Sequence, residues 1–369
     1  MSTDPKAAQM SPLEQQLDYP FGAVVPEGGA TLEVAPGVRW LRMQLPFQLD
    51  HINLWLLRDR LDGIDGWSIV DCGITNDATR AAWEQVFANE LQGLPVLRVI
   101  VTHMHPDHMG LAHWLTERWS TATREVRLWC SATDYNTARL ASTAVTGFGG
   151  AETARFMASH GLTDPASQEK IKARTNYYAS MVPQVPKSYR RVMDGDLLRI
   201  GAHDWRCIAG YGHAPEHIAL HGEALGTLIS GDMVLPRIST NISVHDVEPE
   251  SNPLTLYLDS ITRLKALPAD TLVLPSHGRP FRGLHTRIDQ LVAHHDERLA
   301  DVMTACAEAP CSAADLLMLL FKRHLDLHQT TFAIGESIAH LHALWFAGRL
   351  RRERDAGGIW RFSLPPTGG

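Results

Sequence analysis

The sequence predicts a layered α/β protein. Strand-like and helix-like runs alternate through residues 30 to 285 in two roughly matching halves. The buried apolar runs of each half lead into histidine-bearing loops. Beyond residue 285 the strand signal stops, and three helical patterns with a short hairpin follow, which predicts a second, smaller module.

Residues 1–20 read as a flexible tail, and residues 21–285 as the main domain. "TLEVAPGVRWLRMQL", "HINLWLLRD" and "WSIVDCG" are short β-rich runs broken by Gly, Pro and Asp turns. "NDATRAAWEQVFANEL" places apolar residues at helical spacing behind Asn76 or Asp77 as N-cap. "LPVLRVIVT" is a compact buried strand, "DHMGLAHWLTERW" a helix and "VRLWC" the next strand. Residues 131 to about 188 are rich in Ala, Thr and Ser at helical spacing, which predicts a helical insertion within the main domain. Strand-like segments resume in "DGDLLRIGAHDWRCIAG", "HIALHG" and "GTLISGDMVL". "NPLTLYLDSITRLKAL" is a helix, and "DTLVLPSHG" a last buried strand. In residues 286–369, three helical patterns precede two short strands around Asp355–Gly358, the outline of a winged-helix-like domain.

The hydrophobic share of 44% and charged share of 20% are those of an ordinary globular protein. A net charge of -7 argues against a dedicated nucleic-acid binder. Five cysteines without a C-x-x-C pair suit a reducing compartment better than a disulfide framework. The N-terminus has no signal-peptide pattern and no run approaches eighteen apolar residues, so the expectation is a cytoplasmic protein with no membrane partner.

The stretch "VTHMHPDHMG" concentrates His103, His105, Asp107 and His108 where an apolar strand ends. Imidazole and carboxylate are ligands for zinc, iron or manganese. An H-x-H pair leaving a strand can aim both rings at one ion, while Asp107 and His108 on the next turn can face a second. By composition alone such a string occurs by chance in on the order of a few per thousand chains of this length.

"THMHPDH" resembles the H-x-H-x-D-H signature of the metallo-β-lactamase-fold hydrolases, and companion motifs follow in order over residues 30–285. The resemblance implies a four-layered αββα sandwich holding two divalent metal ions, zinc first, with iron or manganese compatible. His103, His105 and His213 ("GYGHAPEHIAL") would hold one ion. Asp107, His108 and His277 ("LPSHG") would hold the other, with Asp232 ("SGDMVL") bridging. Asp71 ("DCG") and His217 would support the ligands without binding metal. Glutamate in place of His105 would have suggested a di-iron oxygen-reducing branch; histidine favours hydrolysis.

Length, motif forms and C-terminal outline are similar to the glyoxalase-II-like and β-lactamase-like-2 group. That resemblance implies a metal-bridging hydroxide, oriented by Asp107, attacking a small acyl thioester or ester. The alternative is a metal-dependent endoribonuclease whose C-terminal module holds single-stranded RNA through Arg349, Arg351, Arg352, Arg354 and Arg361. A ligand-sensing regulator would be expected to have lost metal ligands, and the full set is present. True β-lactamase activity fits poorly with the extra C-terminal module, whereas a mononuclear iron persulfide dioxygenase shares much of the first ligand set. His245, Tyr178 and Arg191 are candidate substrate contacts, by position and chemistry. A homodimer is the default oligomer. The remaining histidines, His51 among them, read as surface or core residues, and Cys72 as a buried thiol.

Overall fold

The computed structural model describes residues 1–4, 9–145, 148–322 and 324–366. These fall into two compact units. One comprises Met1–Thr143, Tyr178–Thr240 and Ile261–Ile288; the other comprises Ala144–Tyr177, Asn241–Ser260 and Asp289–Gly369.

Along the chain come β1 (Ser2–Thr3), β2 (Val24–Val25), β3 (Leu32–Ala35), β4 (Val38–Gln44), β5 (His51–Leu61) and β6 (Ile64–Val70). Helix α1 (Asp77–Asn89), β7 (Val96–Ile100), α2 (Pro106–Met109), α3 (Ala112–Trp119), β8 (Arg127–Cys130) and α4 (Ala132–Ala141) follow. Next are α5 (Gly150–Ser159), α6 (Pro165–Ala173) and α7 (Tyr177–Met181), then β9 (Tyr189–Arg191), β10 (Leu197–Ile200), β11 (His203–Gly210), β12 (His217–Gly222) and β13 (Thr227–Gly231). The chain ends with α8 (Pro253–Arg263), β14 (Leu272–Pro275), α9 (Leu284–Glu308), α10 (Leu317–Phe321), α11 (Leu327–Phe346), β15 (Arg351–Arg354) and β16 (Trp360–Ser363).

In the first unit, β3 to β9 form a seven-stranded sheet in sequential order, and β10 to β14 a five-stranded one. The larger sheet is antiparallel up to β6 and parallel from β6 to β9. The smaller is antiparallel except for the parallel pair β13 and β14. Parallel neighbours require a crossover, and α1 supplies one between β6 and β7, α2 and α3 another between β7 and β8. Inner faces of both sheets contribute to one apolar core, in which Trp40, Trp55 and Trp205 are at most 1% exposed. The layered α/β class is as the sequence predicts. The metal-motif loops leave the C-terminal ends of β7, β11, β13 and β14, where ligand sites of open α/β sheets gather.

Local chemistry explains the boundaries near these loops. Asn76 caps α1 by accepting from the Thr79 amide at 2.7 Å. The helix expected over "DHMGLAHWLTERW" is broken into α2 and α3 at Gly110. A Cβ at Gly110 would stand 2.5 Å from the Gly73 carbonyl oxygen, so glycine lets the two loops approach.

Two sequence expectations are corrected. Residues 1–20 do not behave as a free tail over their described length. β1 pairs with β2, Asp18 bridges Arg282, and Glu14 is buried in a reciprocal hydrogen-bond pair with Ser11. The C-terminal segment of the second unit begins at Asp289, and it is the assignment of the insertion 131–188 to the main domain that is corrected, for residues 144–177. Residues 144–177 and 241–260 cluster with the C-terminal segment, because packing rather than chain order defines a compact unit.

Within the second unit, the capping box of Asp326 and Gln329 starts α11. Gly335 lets α11 approach Ser243 closely, since a Cβ there would lie 2.7 Å from the serine side chain. The hairpin β15–β16 forms where expected, and Arg352 lies over both Trp345 and Trp360 at 3.7 and 4.5 Å. No described helix is long and apolar enough to cross a membrane.

Candidate metal centre

Three ring nitrogens define the first cluster. His103 Nε2 lies 3.0 Å from His105 Nδ1, which lies 3.1 Å from His213 Nε2, and the third edge measures 3.2 Å. Metal–nitrogen bonds of about 2.0–2.1 Å imply nitrogen–nitrogen edges of about 2.9 Å in an octahedron and about 3.3 Å in a tetrahedron. The observed triangle falls between them. Burial, reinforced by neighbouring imidazoles, holds His103 and His105 well below the usual histidine pKa, so both rings are neutral and able to offer a lone pair to a cation.

Asp107, His108 and His277 make a second ligand group. Asp107 Oδ2 is 3.7 Å from His108 Nε2 and 3.4 Å from His277 Nε2. Asp232 faces both clusters: Oδ1 lies 3.5 Å from His108 Nε2 and 3.4 Å from His277 Nε2, while Oδ2 lies 3.3 Å from His213 Nε2. Burial opposes charge on His277, but Asp232 and Asp107 outweigh it and raise its pKa to about 10. Burial likewise opposes charge on His108, and Asp71, Asp107 and Asp232 overcome it. The carboxylates therefore draw positive charge to this position.

The donor set fits divalent cations by a second criterion. His108 Nε2 and Asp232 Oδ1 are buried and have no hydrogen-bond partner. A buried unpaired polar atom costs about 1–3 kcal/mol, a cost that coordination removes.

Neighbouring groups fix which nitrogen each ring presents. Asp71 accepts from His108 Nδ1 at 2.8 Å and from the Thr102 amide at 2.8 Å. The Thr102 hydroxyl donates to Asp71 Oδ2 at 2.9 Å and stands 3.0 Å from His103 Nδ1, able to accept its proton. The His51 carbonyl accepts from His277 Nδ1 at 2.7 Å. In all three rings Nε2 is left for the centre. His217 is not among the ligand groups: its Nε2 accepts the Asp232 amide at 3.2 Å. Gly231 leaves β13 at φ 53°, and a Cβ there would fall 2.1 Å from His217 Nε2.

Of the expected substrate contacts, Tyr178 is corrected. It is 3% exposed, and its hydroxyl donates to the Met104 carbonyl at 2.5 Å, so burial removes it from any substrate. Arg191 stands exposed on β9, paired in register with Cys130. His245 lines a cavity of the second unit beside Phe148, ring centroids 5.6 Å apart. Cys72 is fully buried, and burial pushes its thiol pKa well up, as suits a packing residue.

Sequence reasoning missed four supporting residues. Thr102 donates to Asp71 through its amide and hydroxyl, and the His51 carbonyl holds His277. Asn53 donates to the carbonyls of Pro275 and Gly278 at 2.8 and 2.9 Å and so fixes the loop carrying His277. Asp134 accepts the amides of Met104 and Glu216, each at 2.7 Å. Only Asp134 had a local signal, Ser131 three residues before it as the N-cap of α4, and that spacing says nothing of its distant partners.

Residues 48–277 match the model of the metallo-beta-lactamase superfamily. The chain belongs to that superfamily. Residues 299–365 match the metallo-beta-lactamase-like C-terminal domain. A probable metallo-hydrolase, YqjP of Bacillus subtilis, is 25% identical over 320 residues, 82% of this chain and 91% of the relative. A hydroxyacylglutathione hydrolase of Cereibacter sphaeroides is 30% identical over 112 residues, covering 30% of this chain and 41% of the relative. The crystal structure of a beta-lactamase domain protein from Burkholderia ambifaria is 57% identical, with a TM-score of 0.91 over 96% of this chain and all of that one. A metallo-beta-lactamase family protein from Thermus thermophilus is 25% identical, with a TM-score of 0.71 over 90% of this chain and all of that one.

Proposed function

We propose that this superfamily member is a dinuclear-metal hydrolase of small acyl thioesters or esters. The observation that carries the reading is Asp232, whose two carboxylate oxygens face different histidine clusters. His103, His105 and His213 would hold one cation, and Asp107, His108 and His277 the other. Bound divalent cations supply a water acidified toward a pKa of about 7 and a Lewis acid for the acyl oxygen.

The chain's own residues organise the rest. His103, His108 and His277, at most 3% exposed, form the closed floor of the site. The side chains of Asp107 and Asp232 are 18% and 11% exposed and mark its open side. Asp107 can accept a hydrogen bond from the attacking water and orient it. Asp107 and Asp232 would serve as ligands and Asp71 accepts from Thr102 and His108, so none of these three carboxylates is set apart as an acid for the leaving group. A thiolate departs without one, which favours a thioester. The partial similarity to hydroxyacylglutathione hydrolases supports the same class.

The RNA alternative rests on the hairpin arginines, and three of the five are engaged in ion pairs. Arg351 pairs with Glu353, Arg352 with Glu250, and Arg361 with Asp315 and Asp355. That pairing weakens any phosphate-binding face.

The test is hydrolysis of a short acyl-glutathione and a short acyl-CoA by metal-loaded protein, with His103→Ala as control. Turnover that vanishes in the control is the expected result. Absence of turnover with metals present would overturn the thioester reading and move attention to single-stranded RNA.

A further inference from the structure

Asp134 is fully buried, and its carboxylate reaches well beyond its own helix. Its Oδ1 accepts the Met104 amide at 2.7 Å, and its Oδ2 accepts the Glu216 amide at 2.7 Å and the Ser131 hydroxyl at 3.1 Å. Met104 lies between His103 and His105; Glu216 lies three residues after His213 and one before His217. One short side chain therefore ties the loop carrying two nitrogens of the first cluster to the loop carrying the third. On the other side of Met104, the Tyr178 hydroxyl holds its carbonyl. The two peptide groups between His103 and His105 are thus pinned from both directions.

We propose that Asp134, assisted by Tyr178, is a positioning residue of the metal centre, setting the spacing of His103 and His105 against His213. The inference rests on the metal-centre reading, not on which substrate is cleaved. A carboxylate suits the role because it offers an acceptor to each loop. Asparagine in its place must turn its NH2 toward one of the two backbone N–H groups, which loses one tether and sets donor against donor. Without the tether the two loops hold their nitrogens less rigidly, and a cation must supply the ordering itself. The backbone joins the same loops at the edge of the site, where the Ile218 amide donates to the Thr102 carbonyl at 2.8 Å. At Met104 and Glu216, nearer the ligands on either side, the link is the Asp134 side chain.

The experiment loads the full chain with Co2+. Stoichiometry, affinity by chelator competition and the visible absorption spectrum are measured for wild type, Asp134→Asn, Tyr178→Phe and Ser131→Ala. Ser131→Ala removes the N-cap of α4 and the hydroxyl that donates to Asp134 Oδ2 but leaves both backbone tethers, so it separates the tethers from the helix start and local support of the carboxylate. Asp134→Asn should weaken binding by about tenfold or more and alter the spectrum; Tyr178→Phe should move both in the same direction by less, and Ser131→Ala should leave the spectrum as in wild type. Wild-type affinity and spectrum in Asp134→Asn would overturn the proposal, as would an equal change in Ser131→Ala. If Asp134→Asn does not fold, Tyr178→Phe decides on the same two readings. A wild type that takes up no Co2+ would remove the metal-centre reading and the proposal with it. Metal uptake without thioester turnover would leave the proposal standing while overturning the substrate assignment.

Discussion

Replacing Asp71 by asparagine exchanges one carboxylate oxygen for an NH2 group in a place where donors meet it on every side. The Thr102 amide points at Oδ1 and His108 Nδ1 at Oδ2, both at 2.8 Å, with the Thr102 hydroxyl between them. If the amide oxygen keeps Thr102, the NH2 faces His108 Nδ1, which must then give up its proton to accept. The proton moves to Nε2, the atom that faces Asp107 and Asp232, and His108 ceases to be a ligand. If the oxygen keeps His108, two donors collide at Thr102, and the strand end carrying His103 shifts. Loss of such an orienting partner weakens metal sites by about 10- to 100-fold, equivalent to about 1.4–2.7 kcal/mol at 1.36 kcal/mol per tenfold. Zinc stoichiometry after gel filtration and affinity from chelator competition read the effect. The expected outcome is a variant that retains the cation of the three-histidine cluster and loses affinity for the one at His108. Two cations bound with unchanged affinity would refute the reasoning that Asp71 sets the His108 tautomer.

Two further predictions concern stability. Asp59 and Arg98, 1% and 2% exposed, form an ion pair at 2.8 Å that Ser68 and the Gly201 amide complete. Asp59→Ala strands a buried guanidinium and should cost about 3–5 kcal/mol in denaturant unfolding; a loss below about 1 kcal/mol would show that water or another group compensates. Burial, then His342, Arg352 and Arg354, press His160 down to a pKa of about 3. Its pKa when folded is below the unfolded value of about 6.5, so its contribution is complete above that pH and declines as the unfolded state takes up the proton. His160→Phe should therefore lose about 1.4 kcal/mol less stability than wild type between pH 7.5 and 5.5, and equal losses would refute the assignment. The metal ligands titrate alike in both proteins and cancel from that comparison.

How much of the site was legible follows from where its information lies. His103, His105, Asp107 and His108 fall within six consecutive positions at a strand exit, so their convergence is dictated by local geometry. His213, Asp232 and His277 were reached through companion motifs, and the structure gathers all three around the same centre. Asp134 was missed because its partners stand 30 and 82 residues away, and a capping serine three residues before it reads as ordinary helix chemistry. His51 was passed over because it supports His277 through its backbone carbonyl, which no residue type advertises. Tyr178 was misread because position near a motif does not distinguish a hydroxyl facing substrate from one bonded to the Met104 carbonyl.

By itself, the sequence determined the layered α/β class and displayed the cluster of His103, His105, Asp107 and His108, since strand periodicity and donor type are local properties of the chain; the remaining candidate ligands came through the family resemblance. Only the tertiary structure decided which nitrogen each histidine presents, how Asp232 divides its oxygens between two clusters and which segments form one compact unit. Those outcomes depend on hydrogen bonds and packing between residues far apart in the chain, and such contacts exist only once the chain has folded.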